Sequence, residues 1–238
     1  MVQPAPGVIG MTEQTSLSPR TLAAIRTVDR AAVFIAQHWL LLAALFLFLF
    51  STLPILAPVL ALSGLGGPAQ IIYTAYAFTC HQLAYRSFFL SGQQFAYSVG
   101  DLQSILHVSN PATDVLYWRG IEGSTILGYK VAYCERDVAI YSSMFLASLA
   151  YALVRKRLPR LNWRLYVAVG IMPILVDGGT QLVMLRESDA VLRVITGVLF
   201  GVLSVWLIYP YVDEAMRDTF EQSSRQLARV NERMASSR

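Results

Sequence analysis

Apolar residues in this chain gather into long unbroken runs and not into the alternation of a half-buried sheet. Residues 39–62 carry no charge at all, which is length enough to cross about 30 Å of hydrocarbon at 1.5 Å per residue. Pro54 and Pro58 are expected to kink the second half of this first span, and Gly64, Gly66, Gly67 and Pro68 to end it. Residues 131–154 predict a second span, although Glu135, Arg136 and Asp137 fall in its first two turns. Residues 165–185 predict a third, with Asp177 inside it, and residues 191–212 a fourth, opening on Arg193. The fold class expected is all-α, an integral membrane four-helix bundle.

The segments between these runs have their own pattern. Residues 1–17 are polar, with Pro4, Pro6 and Gly7, and read as a flexible lead. Ser18-Pro19 is a helix N-cap followed by proline at the first helical position. Leu22, Ile25, Val28, Ala32 and Ile35 then recur at helical spacing, so 1–38 is a lead that ends in an amphipathic helix. This lead is too long for a cleavable signal, and the first run reads as a retained anchor. Residues 63–130 are expected as a polar extracytoplasmic cap. Within it, 69–84 is too short to span and reads as a re-entrant or interfacial helix. Residues 86–97, RSFFLSGQQFAY, read as a small β-hairpin around Ser91-Gly92, residues 101–108 as a short helix, and Asn110-Pro111 as a turn. Residues 213–238 read as a tail helix with Met216, Phe220, Leu227 and Val230 on a partial stripe, suited to a neighbour or a lipid surface if it is not simply solvated.

Charge orients the spans. The loop 155–164 carries Arg155, Lys156, Arg157, Arg160 and Arg164 and no acid, which places it in the cytoplasm. Four spans then leave both termini cytoplasmic, in agreement with Arg20, Arg26 and Arg30 before the first and Arg217, Arg225, Arg229 and Arg233 after the last. The outward loop 186–190 sets Arg186 against Glu187 and Asp189. The expected location is the cell (plasma or inner) membrane, with the lipid bilayer as partner. A hydrophobic fraction of 55% with 14% charged residues excludes a disordered chain and an ordinary soluble enzyme. The net charge of +4 does not gather on one face, so nucleic acid is not expected as a partner.

Charges inside a span cost about 2.5–3.5 kcal/mol each and need a partner, water or a task. Cys134, Asp137 and Tyr141 share one helix face by their spacing, and Asp177 and Gln181 share another. Helical rise puts Asp137 roughly 9 Å and Asp177 roughly 12 Å below the outer ends of their spans. Cys80 and His81 fall on the same outer side, so three segments converge by depth.

The motifs Cys80-His81-Gln82, Arg86-Ser87-Phe88-Phe89, Gly92-x-Gln94-Phe95, Cys134-x-Arg136 and Asp177-Gly178-x-x-Gln181 resemble the DUF2085 family of uncharacterised membrane proteins, over roughly residues 70–210. Where the family pattern has a further cysteine this chain has Asp137, and Ala139 replaces a glycine, while Tyr141 is kept. An insertion over 98–130 separates Tyr97 from the Cys134 segment. The family implies no activity.

Three readings of the cluster stay open. Cys80, His81, Cys134 and Asp137 are suitable ligands for zinc or iron, provided an irregular turn brings Cys80 and His81 to one side. Cys80 and Cys134 could instead form a disulfide on the oxidising side, or take part in thiol redox chemistry. Or Gln82, Arg86, Arg136, Tyr141, Asp177 and Gln181 form a satisfied polar cluster, with Arg136 paired to Asp177 or Asp137. Function divides accordingly: a metal-binding or redox-linked membrane protein, or a non-catalytic accessory subunit among other membrane subunits. Transport is the weaker reading, because no internal repeat is present. His38 and His107 read as interfacial and solvent-exposed, and Tyr73, Tyr76, Tyr85, Tyr97, Tyr129 and Tyr133 as an aromatic belt. Gly197 and Gly201 form a GxxxG that marks close helix packing. No P-loop, GxSxG, HExxH or GxGxxG occurs.

Overall fold

A computed structural model describes residues 18–155, 157–183, 185–186 and 188–236. The expected flexible lead 1–17 lies outside the described residues, as do Lys156 and Glu187. The chain is mostly helical. It divides into two compact units, one drawn from Met1–His38 and Ala215–Arg238, the other Trp39–Glu214.

Among the described residues, three helices are long and apolar enough to cross a membrane: α1 (Pro19–Leu62), α5 (Glu135–Val154) and α8 (Ala190–Ser236). The amphipathic lead and the first apolar run, expected as separate elements, form one helix in α1. Ser18 caps it, its Oγ accepting from the Thr21 N–H at 3.2 Å. Likewise α8 continues through Pro210 into the tail without a break at Val212. In the smaller unit Leu22, Asp29, Ala36 and Val230 are buried, and the tail stripe of Met216, Phe220 and Leu227 is half-buried.

In the larger unit, residues 163–182 are helical in three consecutive pieces: α6 (Trp163–Leu165), a π-helical stretch (Tyr166–Ile171) and α7 (Met172–Leu182). Pro173 has no N–H to give the Val169 carbonyl, so the α-ladder is loosened just where the π stretch sits. The segment expected as the third span is thus helical, but not as one regular α-helix.

The prolines of α1 do more than interrupt its ladder. Pro54 cannot donate to the Phe50 carbonyl, nor Pro58 to the Pro54 carbonyl. Both orphaned acceptors are taken by other segments. The Tyr76 hydroxyl donates to Phe50 O at 3.2 Å, and the Ala132 N–H donates to Pro54 O at 3.1 Å. Tyr76 ends α2 (Gly66–Tyr76), and Ala132 precedes α5. Two missing N–H groups therefore fasten the stretches that carry Cys80 and Cys134 to the same side of α1.

Between these helices lie α3 (Val99–Leu106), α4 (Val115–Gly120) and three short strands, β1 (Phe89–Leu90), β2 (Gly123–Ser124) and β3 (Gly128–Lys130). The strands form an antiparallel sheet in the order β1-β3-β2, with Phe89 opposite Lys130 and Gly123 opposite Tyr129. The hairpin expected over 86–97 is corrected here. Its turn exists, with the Phe89 N–H donating to Phe95 O at 2.8 Å, but β1 pairs with the distant β3 and not with the returning half. Gly92 allows this: a Cβ there would lie 1.9 Å from Leu127 O, so only glycine admits the incoming backbone. The short helix expected at 101–108 begins earlier, at Val99, under a reciprocal Ser98–Asp101 capping box.

The tyrosine belt is also corrected. Tyr73, Tyr76, Tyr85, Tyr97 and Tyr133 are buried. Several hydroxyls end on backbone carbonyls, such as Tyr73 on Lys130 O at 2.5 Å and Tyr85 on Ala112 O at 3.1 Å. Their rings build the core of this region together with Trp118, Phe89 and Leu127.

The GxxxG of α8 packs within the chain. A Cβ at Gly197 would come 2.9 Å from Arg136 O, and one at Gly201 2.6 Å from Ile140 O, so α8 lies against α5 at backbone distance.

Candidate functional site

The site is built where α2, β3 and α5 meet. After α2 the chain turns sharply, with Gln82 in the left-handed region at φ 53°. The turn is irregular, as expected, but it brings Cys80 and not His81 into the donor group. It aims the Gln82 N–H back at Cys80 Sγ, 3.4 Å away, and the Cys134 N–H reaches the same sulfur at 3.2 Å. Cys134 occupies the N-cap of α5, where its Sγ accepts from the Asp137 N–H at 3.4 Å. Cys80 Sγ therefore faces two backbone N–H groups and Cys134 Sγ one. The Cys134 thiol donates to Asp137 Oδ2 at 3.1 Å. Ligand atoms of Cys80, Cys134 and Asp137 all lie within 4.8 Å of one another. Both cysteines are free.

Lys130 locks the turn. It is fully buried, and its Nζ donates to Gln82 O at 2.8 Å and Arg119 O at 2.6 Å. Gln82 is held at its other end by Nε2 donating to Tyr73 O at 2.8 Å. Burial pushes the Lys130 ammonium down to about 8, against the opposing pull of Glu122 and Cys80.

The cluster opens on a polar cavity of about 230 Å³, whose walls include His81, Arg86, Arg136, Gln181 and Arg193. Buried carboxylates stand behind the guanidiniums. Arg136 donates to Asp177, which also accepts from Arg186 at 2.8 Å. Arg193 donates to Glu135 at 2.7 Å and to Ser188 O.

The expected residues therefore take three different places. Cys80, Cys134 and Asp137 come together as donors. His81 lines the same cavity but is exposed, and it does not join the three-atom group. Arg86 and Gln181 line the cavity, while Gln82 braces the turn. Asp177, 2% exposed, holds Arg136 and Arg186 and is not a wall of the cavity. Arg186, expected to balance Glu187 and Asp189 in the loop, donates to Asp177, while Glu187 lies outside the described residues. Tyr141 stacks on Tyr133, with ring centroids 5.4 Å apart. His38 lies in the other unit, bonded to Phe34 O, and His107 is the exposed C-cap of α3.

The pair Glu135–Arg193 and the clamp by Lys130 were not anticipated. For the pair a signal existed: a charge opening an apolar run demands a partner as Asp177 did. Nothing local distinguishes Lys130.

Residues 123–207 match the DUF2085 family, described as predicted membrane protein. The matched stretch contains Cys134, Arg136, Asp137, Asp177 and Gln181, and the Cys80 turn lies before it. An uncharacterized protein of Methanocaldococcus jannaschii is 29% identical over 154 residues, covering 63% of this chain and 74% of the relative. No solved structure matches the chain. The DUF2085 match and the apolar helices agree on a protein in contact with the lipid bilayer.

Proposed function

We propose that this chain is a multi-pass membrane protein that binds a transition metal, zinc or iron, through Cys80, Cys134 and Asp137. The observation that carries the reading is the approach of these three donors, with backbone N–H groups directed at both sulfurs. Three protein ligands beside a cavity leave a coordination position open, the pattern of reactive and not of purely structural metal sites. A water supplies the fourth ligand. Asp137, in place of a thiolate, hardens the set and shifts its preference toward borderline metals.

The topology belongs to the same proposal. Residues 163–182 form a crossing as well, the third of four in chain order, about 30 Å long at helical rise. The basic loop 155–164 then faces the cytoplasm together with both termini, and the site faces outward under the cap built from 63–130.

Elemental analysis of protein purified in mild detergent tests the metal. One metal per chain is expected, lost in both Cys80→Ser and Asp137→Ala. Metal-free wild-type protein after purification without chelator sinks the proposal.

The proximity of the two sulfurs also favours a second reading, a Cys80–Cys134 disulfide in an accessory subunit of a larger complex. Mass spectrometry with and without reductant separates the two, because a bridged peptide pair is two hydrogens lighter and has no thiolates to give a metal.

A further inference from the structure

Four buried nitrogen donors around the cavity have no acceptor among the described residues: Nε of Arg86, Arg136 and Arg193, and Nε2 of Gln181. Buried donors are paired in the great majority of cases, so four around one cavity are an unusual deficit of acceptors. Arg193 is 5% exposed and Gln181 9%, so neither reaches bulk solvent to make up for it. The carboxylates nearby are already engaged. Glu135 and Asp177 accept from terminal guanidinium nitrogens and leave the Nε edges free. Arg86 has no ion pair among the described residues, and its guanidinium lies over the Tyr85 ring at 5.2 Å. The acid on the cavity wall, Asp137, is turned to Cys134 Sγ at 3.1 Å.

We propose that this cavity binds a small oxyanion, a carboxylate or a phosphate-type group, held by Arg86, Arg136, Arg193 and the Gln181 amide. Guanidinium edges and an amide N–H₂ offer donors in the planar arrangement that oxyanions accept. A volume of about 230 Å³ lies below the roughly 300–1,000 Å³ of drug-sized ligand sites, so the ligand is small or presents only its anionic end. The buried carboxylates fix the guanidiniums in place and keep the empty site from excess positive charge. The anion rests on the arginines and not on the sulfurs, so this inference goes beyond the metal reading and stands or falls separately.

Calorimetric titration of the full chain in detergent tests it, with inorganic phosphate and acetate as probes in parallel. Saturable binding of at least one probe is expected, and the preferred probe tells a tetrahedral anion from a carboxylate. Arg86→Gln should weaken it about tenfold or more. Arg86→Lys should recover part of the loss, and Cys80→Ser should leave it nearly intact. If Arg86→Gln does not fold, Gln181→Leu takes its place with the same expectation. Absence of saturation by either probe at millimolar concentration means that water alone fills the cavity and overturns the proposal. Binding unchanged in Arg86→Gln, or in Gln181→Leu where it replaces that variant, overturns it as well. Anion binding in protein that holds no metal defeats the metal reading alone. Metal without anion binding defeats this one alone.

Discussion

The two ends of the α5–α8 pair carry the same kind of interaction in opposite surroundings. At the N-terminal end of α5, Glu135 and Arg193 meet at 2.7 Å with side chains 1% and 6% exposed. At its other end, Arg160 of the basic loop meets Glu214 at the same 2.7 Å, with side chains 58% and 46% exposed. Arg155 and Asp213 add a longer contact there at 3.4 Å. Distance does not separate these pairs; burial does. An exposed pair gains little because water and salt screen it. A buried one carries a desolvation cost that is only just offset, and replacing it with apolar residues is often neutral or stabilising. Charges concentrated at the buried end are therefore poorly explained by stability alone. They are consistent with a polar site, whereas the exposed end fits a signal for orientation in the membrane.

The sharpest way to break this contrast is to remove one member of the buried pair. Arg193→Met leaves Glu135 enclosed without its guanidinium, and the expected loss is about 3–5 kcal/mol in detergent unfolding. The double variant Glu135→Gln/Arg193→Met should recover much of it, since the uncompensated charge is gone. A double variant as unstable as the single one would mean that Arg193 acts through its contacts to the Ser188 and Tyr85 carbonyls and not through the charge.

The same contrast explains what could be read from the sequence. Long apolar runs announce helices because nothing else satisfies a backbone in lipid, so α1, α5 and α8 were legible, as were the Ser18 cap and the convergence of Cys80, Cys134 and Asp137. The pairing of β1 with β3 was not, since it depends on Gly92 admitting a backbone from 35 positions away in the chain. Nor was the use of Pro54 and Pro58, because a missing N–H names a free carbonyl but not the group that will take it. His81 was overrated for a related reason. A turn tight enough to aim one of two adjacent side chains into a cluster turns the other outward.

Lys130 sharpens the comparison from within the buried region, because it is a buried cation facing carbonyls and not a carboxylate. Its folded value of about 8 lies below the ordinary 10.5. Between those limits the unfolded chain binds more protons than the folded one, so this group's contribution to stability rises with pH. The cost of burying the ammonium is fully present below pH 8 and is relieved by about pH 10.5, for a total of about 3 kcal/mol. Because other groups titrate in the same window, the measurement is a difference: wild type minus Lys130→Met, by unfolding midpoint across that range. The difference should move in favour of wild type as pH rises. A flat difference would show that the buried ammonium holds its proton as strongly as in the unfolded chain, because its carbonyls or water compensate its burial.

The smallest effect belongs to the exposed end. Arg160→Ala removes an ion pair of good geometry, yet the expected loss is under about 1 kcal/mol. What remains of it should vanish in about 1 M salt, where the screening length falls to about 3 Å. The Arg193→Met loss should persist there, because salt does not enter a buried site. A salt-resistant loss of several kcal/mol at Arg160 would put this end, like the other, out of reach of water. The positive loop would then be part of the packed interior, and its charge could no longer be assigned to orienting the chain across the bilayer.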